Sequence, residues 1–143
     1  MPFYTLDSTN RNEISSILSE DKWVMACLCA AWCDVCRQYR AGFEQLANEH
    51  PDKYFIWIDI EDQADVVGDF DVENFPTLLI QRADTVAFFG TVLPEIRQAN
   101  RLLLAQTEKT RDELLREVNS SAEKKEWQSE CNLRQRLVVP TGD

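Results

Sequence analysis

Two stretches of the chain are apolar at nearly every position, WVMACLCAA at 23–31 and YFIWIDI at 54–60. Runs of this kind predict strands covered on both faces, because a half-exposed strand would alternate polar and apolar residues. Between them Cys36, Tyr39, Phe43 and Leu46/Ala47 recur at helical spacing until His50-Pro51 ends the pattern. Upstream, Ile14, Ile17 and Leu18 predict a short helix capped by Ser8 or Thr9. Acidic EDQADVVGDFDV (61–72) reads as a short helix or loop. Pro76 cannot donate to a sheet ladder, so it opens the strand TLLI at 77–80. The triplet RAD (82–84) turns the chain into TVAFFG (85–90), an antiparallel hairpin, and a last helix from about Pro94 runs through Ile96, Ala99 and Leu103.

A buried strand, a helix and a second buried strand require a crossover, which makes the two strands parallel neighbours. The expected architecture is a small α/β layer domain over residues 1–106, without internal repeats. Residues 107–143 differ: 15 of these 37 residues are charged, with a thin apolar stripe of Leu115, Val118 and Ala122 that Trp127 and Cys131 extend. This extension predicts a marginal helix and a loose tail. It is a solvated appendage, a self-association element or a segment docked back on the domain.

Charge narrows the partners. The 143 residues carry 15 Lys+Arg against 25 Asp+Glu, a net charge of −10, and residues 107–143 account for only −1 of it. An acidic surface repels phosphate backbones and anionic lipid, which argues against nucleic acid and membrane as partners. No apolar run approaches the roughly 20 residues of a membrane span. The first residues, MPFYTLDSTN, lack the basic and apolar regions of a secretory signal, and the expected location is cytoplasmic.

Four of the five cysteines crowd into positions 27, 29, 33 and 36, with the fifth at 131. A disulfide-stapled secreted scaffold would spread an even number along the chain. Cys33 and Cys36 fall where the first buried strand meets the second helix. Residues three apart across a helical turn lie about 5–6 Å apart, within disulfide range. Cys33 sits at the helix N-terminus, where unpaired N–H groups favour a thiolate, and Cys36 heads the apolar stripe. Cys33 is therefore the expected nucleophile and Cys36 the thiol that resolves a mixed disulfide. Cys27 and Cys29 share one face of their strand about 6.6–7 Å apart, too far for an easy bond, and read as small buried residues. A four-thiolate zinc site is disfavoured, because a flat strand running into a helix supplies tetrahedral sulfurs poorly.

With Ala31-Trp32-Cys33-x-x-Cys36, Phe75-Pro76-Thr77 about forty residues on, and a hairpin containing Gly90 before a closing helix, the chain resembles the thioredoxin family over residues 3–106. The resemblance implies a thioredoxin fold, a central mixed sheet flanked by helices, with Phe75–Pro76 as a cis peptide packed against the dithiol. It also implies a redox-active Cys33/Cys36 pair that exchanges disulfides with protein substrates. Trp32, Glu73, Phe75, Pro76, Thr77 and Gly90 would form the docking surface. Electrons would come from a separate reductase, with no bound cofactor and no metal.

Three positions depart from the family pattern. Asp34-Val35 stands where thioredoxins usually carry Gly-Pro, and a carboxylate beside Cys33 opposes its thiolate, which favours a reductant. Cys27 occupies the place of a buried acid that helps deprotonate the resolving cysteine, and Trp57 that of its lysine partner. Glu73 and Asn74 replace a basic residue and a glycine. With Asp34 and Asp71, Glu73 makes the docking face acidic and suited to basic substrates. The rival expectation is a binding or assembly module whose dithiol is vestigial or regulatory. His50, the only histidine, reads as a helix cap rather than a base. The acidic residues of 59–71 lack the spacing of a calcium loop, and the four glycines are too scattered to cradle phosphate.

Overall fold

The computed structural model describes residues 3–68, 70 and 72–137. The elements in chain order are β1 (Phe3–Thr5), α1 (Arg11–Ser19), β2 (Trp23–Cys29), α2 (Asp34–Glu49), β3 (Tyr54–Asp59), α3 (Ala64–Val67), β4 (Thr77–Arg82), β5 (Thr85–Thr91), α4 (Ile96–Thr107), α5 (Arg111–Val118), α6 (Ala122–Glu130) and α7 (Leu133–Leu137). The strands form one sheet in the order β1-β3-β2-β4-β5. β2 and β3 are parallel, as the crossover requires, and β4 is antiparallel to both β2 and β5. The three-residue β1, too short to stand out as a pattern, adds a parallel edge to β3.

Period-two alternation of β2 sorts its side chains onto two cores. Val24, Ala26 and Leu28 face Ile14, Leu18, Val66 and Leu133 on one side of the sheet. Met25, Cys27 and Cys29 face Cys36, Tyr39, Phe43, Leu103 and Leu114 on the other. β2 is buried from Val24 onward because helices cover both faces.

The first helix is capped differently from its sequence expectation. Neither Ser8 nor Thr9 is its N-cap; Asn10 is, without a side-chain cap bond. Asp7 takes the local donors instead, its Oδ1 accepting from Thr9 N–H at 2.7 Å, Thr9 Oγ1 at 2.6 Å and Asn10 N–H at 3.1 Å. Such a turn directs the chain into the helix without using the cap position.

The extension docks back onto the domain as three helices. α5 packs on β5, α6 covers β5, and α7 lies against α1 and α3. The inward residues of α5 are Leu114 and Val118, one turn apart, while Leu115 is 44% exposed and Ala122 faces solvent. Thr110 starts α5 through a reciprocal capping box with Glu113. Beyond Cys131, where the sequence predicts a loose tail, α7 is folded with Leu133 and Leu137 buried, and residues 138–143 lie outside the described residues.

Docking also closes the open edge of the sheet. The Gln128 amide meets the β5 backbone as another strand would, donating to Val86 O and accepting from Val86 N–H, both at 2.8 Å. Behind it, fully buried Asn132 accepts from Gln81 Nε2 at 2.7 Å and donates to Asp84 O at 3.0 Å and Gln128 O at 3.0 Å. Gln81 returns the contact by accepting from Leu133 N–H at 3.0 Å. A buried network satisfied at every member fixes one docking register, and losing a member strands its partners. Asn132→Ala is expected to lower stability by about 2 kcal/mol in urea denaturation.

Ion pairs fasten the periphery. Hydrogen bonds from Arg11 to Asp65, Arg82 to Asp21 and Lys109 to Glu117 hold these carboxyls below their usual range. A carboxyl depressed in the folded state contributes stability above its unfolded value and loses it as pH falls through the folded one. The urea midpoint is therefore expected to hold from pH 7 down to about 5 and to fall below about pH 4.

Candidate active site

β2 ends at Cys29, and the turn Ala30-Ala31-Trp32 carries the chain to Cys33, the N-cap of α2 in extended conformation. Backbone bonds set this turn: Cys33 N–H donates to Ala30 O at 3.1 Å, and Arg37 N–H closes the first helical bond onto Cys33 O at 3.1 Å. Asp59, opposite Cys29 in the sheet, accepts from Ala31 N–H at 3.0 Å and anchors the turn to β3. Arg37 pairs with Asp34 and donates to Ala31 O at 3.0 Å. The Asp34 charge is thus met by a guanidinium at the mouth of the turn.

The pairing of the sulfurs departs from expectation. Cys36 is bonded to Cys29, with Cα atoms 5.8 Å apart, and Cys33 is a half-buried free thiol. The physical reason lies in the packing of α2 on β2. Cys36 is 1% exposed and looks into the core, where Cys29 at the strand end presents its sulfur from the same face. Helical spacing alone brings Cys33 within reach of Cys36 but carries no information about which strand residue the helix lies upon. Cys27 and Cys29 are unbonded, their sulfurs 3.8 Å apart. Among the described residues no group of three or more His, Cys, Asp and Glu could hold a metal ion.

Phe75–Pro76 is a cis peptide. Phe75 and Cys33 pack on the same core cluster, and the Phe75 ring meets the edge of Trp32 at 5.7 Å between centroids. Trp32 is 65% exposed beside the thiol. Pro76 O accepts from Val92 N–H at 3.0 Å, which ties the proline loop to the end of β5. Thr77 is buried rather than displayed, its hydroxyl donating to Asn74 O at 2.6 Å within the turn. Its side chain supports the loop from inside.

Glu73 and Gly90 line a groove of about 340 Å³ together with Phe89, Glu123, Glu126, Trp127 and Glu130. Among the described residues none of these four carboxylates forms an ion pair. The α6 glutamates escaped the sequence reading because their place beside the proline loop depends on how the extension docks. Their helical spacing, 123–126–130, was the one available signal.

The position beneath the cysteines holds no base. Cys27 is fully buried beside Trp57, and burial pushes its thiol well above the usual range. Tyr39 is also raised, by burial first and by Cys27 second. Trp57 lies under the Arg40 guanidinium, 5.3 Å from its ring centre. His50 is the C-cap of α2, its Nε2 2.8 Å from Asn100 Oδ1, away from the cysteines in the fold.

A family model for thioredoxin matches residues 5–99. The chain belongs to the thioredoxin family. Its relatives include a putative thioredoxin 2 of Streptomyces coelicolor, 29% identical over 112 residues that cover 73% of this chain and 83% of that protein. A Brassica campestris H-type thioredoxin is 28% identical over 81 residues, 57% of this chain and 65% of that protein. In structure the fold superposes on a poplar thioredoxin h with a TM-score of 0.67 at 19% identity, covering 77% of this chain and all of that one. It also superposes on a Trypanosoma brucei brucei thioredoxin at 0.62 and 22% identity, covering 73% and 90%. Thiol–disulfide exchange is the general chemistry of the family, and the family match ends before α5, α6 and α7.

Tyr39 offers a test of how dry this thioredoxin-like core is. Among the described residues its buried hydroxyl finds no hydrogen-bond partner. An unsatisfied buried hydroxyl costs stability, so Tyr39→Phe is expected to gain about 1 kcal/mol, read by urea denaturation.

Proposed function

We propose that the reduced chain is a protein-disulfide reductase in which Cys33 attacks and Cys36 resolves. The Cys33 thiolate attacks one sulfur of a substrate disulfide, forming a mixed disulfide and releasing the other sulfur as a thiolate. Cys36 then attacks the Cys33 sulfur and expels the second substrate thiolate. Two electrons pass from the chain's dithiol to the substrate, and a separate reductase restores them. The observation that carries this reading is that Cys33 alone of the five cysteines reaches the surface, at the N-terminus of a 16-residue helix. The carboxylate at 34 supports the reducing direction, tempered by its pairing with Arg37. A cytoplasmic location, where such reductases work, accords with the crowded thiols.

Trp32 and the Phe75–Pro76 loop would position an extended substrate segment, with Thr77 holding the loop from within. Glu73 and Gly90 would extend that surface into the glutamate groove, and basic protein segments are its chemical complement. A second reading has support of its own: Cys36 is joined to Cys29, and the buried position 27 holds a thiol where a carboxylate base would stand, as a binding module with a regulatory thiol would have it. The inward residues of α5 and α7 are occupied within the chain, which leaves self-association through 107–143 little apolar surface.

Reduction of a disulfide-bridged peptide flanked by lysines separates the readings. Reduced protein is expected to reduce it, and Cys33→Ser to lose activity by at least about two orders of magnitude. Replacing Glu123, Glu126 and Glu130 together by Gln is expected to raise KM for this peptide severalfold at low salt and to lower it for an acidic counterpart. Absence of reduction by the wild-type protein would establish the binding module.

A further inference from the structure

We propose that Cys29 is a third redox cysteine, which takes Cys36 over from Cys33 after substrate reduction and returns Cys33 to the thiol state. The inference rests on the reading of Cys33 and Cys36 as attacking and resolving thiols. Cys36 has two partners within bonding reach. One is Cys29, to which it is joined in the core at 5.8 Å between Cα atoms. The other is Cys33, three residues back across the first turn, at a separation of about 5–6 Å.

The step balances within the chain. In the Cys33–Cys36 disulfide, the Cys29 sulfur gives up its proton and attacks the Cys36 sulfur. The Cys29–Cys36 bond forms, the Cys33–Cys36 bond breaks, and its electron pair leaves on Cys33, which takes up the proton. One disulfide goes in and one comes out, so no outside oxidant is consumed.

The surroundings favour the inward direction. Cys29 and Cys36 are each 1% exposed, and a buried sulfur is better accommodated as a neutral disulfide than as a thiolate. Cys33, half-buried at a helix N-terminus, is the better leaving group. Cys27 lies 3.8 Å from Cys29, and its S–H, kept protonated by burial, is placed to donate to the attacking sulfur. The oxidised chain then carries its disulfide out of solvent and still displays a reactive thiol. A further disulfide attacked by Cys33 in that state stays as a mixed disulfide, since the resolving sulfur is engaged.

The test mixes fully reduced wild-type protein with the lysine-flanked disulfide peptide, quenches with acid at intervals, alkylates free thiols and maps the linkages. Cleavage after Trp32 and before Asp34 separates Cys29, Cys33 and Cys36 for assignment. The expected course is an early Cys33–Cys36 disulfide that converts to Cys29–Cys36 while Cys33 becomes alkylatable. In Cys29→Ser, and in Cys29→Ala should the serine perturb the core, the Cys33–Cys36 bond is expected to persist with Cys33 unalkylated. A wild-type protein that reduces the peptide and ends as Cys33–Cys36, with Cys29 alkylated after unfolding, overturns the relay and leaves the reductase reading intact. A Cys33–peptide adduct that gives Cys29–Cys36 with no Cys33–Cys36 intermediate also overturns the relay, whereas Cys29–Cys36 arising with no Cys33-linked species at all overturns the reading of Cys33 as the attacking thiol. A wild-type protein that leaves the peptide intact overturns the reductase reading itself.

Discussion

The packing of the first turn of α2 on the end of β2 is the constraint on which the reactive region depends. It puts Cys36 into the core against Cys29 and leaves Cys33 one turn away at the surface. Both consequences follow from one register. The helix begins where β2 ends, so its inward stripe of Cys36, Tyr39 and Phe43 lies along the Met25, Cys27, Cys29 face of the strand. Its N-terminus, with the unpaired N–H groups, faces solvent beside Trp32 and the proline loop. Asp59 and Arg37 hold the connecting turn from two sides, so the thiol is presented on a backbone with little freedom.

The C-terminal helices complete the domain rather than hang from it. A charged sequence with a narrow apolar stripe cannot hold a helix by itself, and α5 to α7 find their stability in the sheet they cover. Gln128 takes the place of a missing strand against β5, and Asn132 locks the docking through polar groups that have partners only in this arrangement. The same docking brings the α6 glutamates beside the proline loop. Structural support and three of the four carboxylates of the proposed docking groove thus come from one appended segment, outside the stretch matched by the family model.

Much of this was legible in the chain itself. The parallel β2–β3 pair, the buried strands, the start of β4 after Pro76 and the burial of Cys36 each followed from local pattern, because burial on both faces leaves an uninterrupted apolar signature. What escaped was whatever depends on contacts between distant segments. The Cys29–Cys36 bond required knowing which strand residue underlies the helix. The inward turn of Leu114 instead of Leu115 required knowing the angle at which α5 meets β5. Asp7 displaced Ser8 and Thr9 at the entry to α1 because three donors converge on one carboxylate oxygen, a geometry that capping preferences do not record. β1 was lost to its length.

The central claim is that Cys33, and no other cysteine, is the sulfur that meets substrate. Trapping tests it most directly. In a Cys36→Ser protein the resolving sulfur is absent, and reaction with a disulfide-bearing basic protein should stop at a covalent adduct. The account predicts a stable adduct whose only linkage, located by peptide mass spectrometry, is at Cys33. An adduct carried by Cys29, Cys27 or Cys131, or none at all from a folded protein, would contradict it.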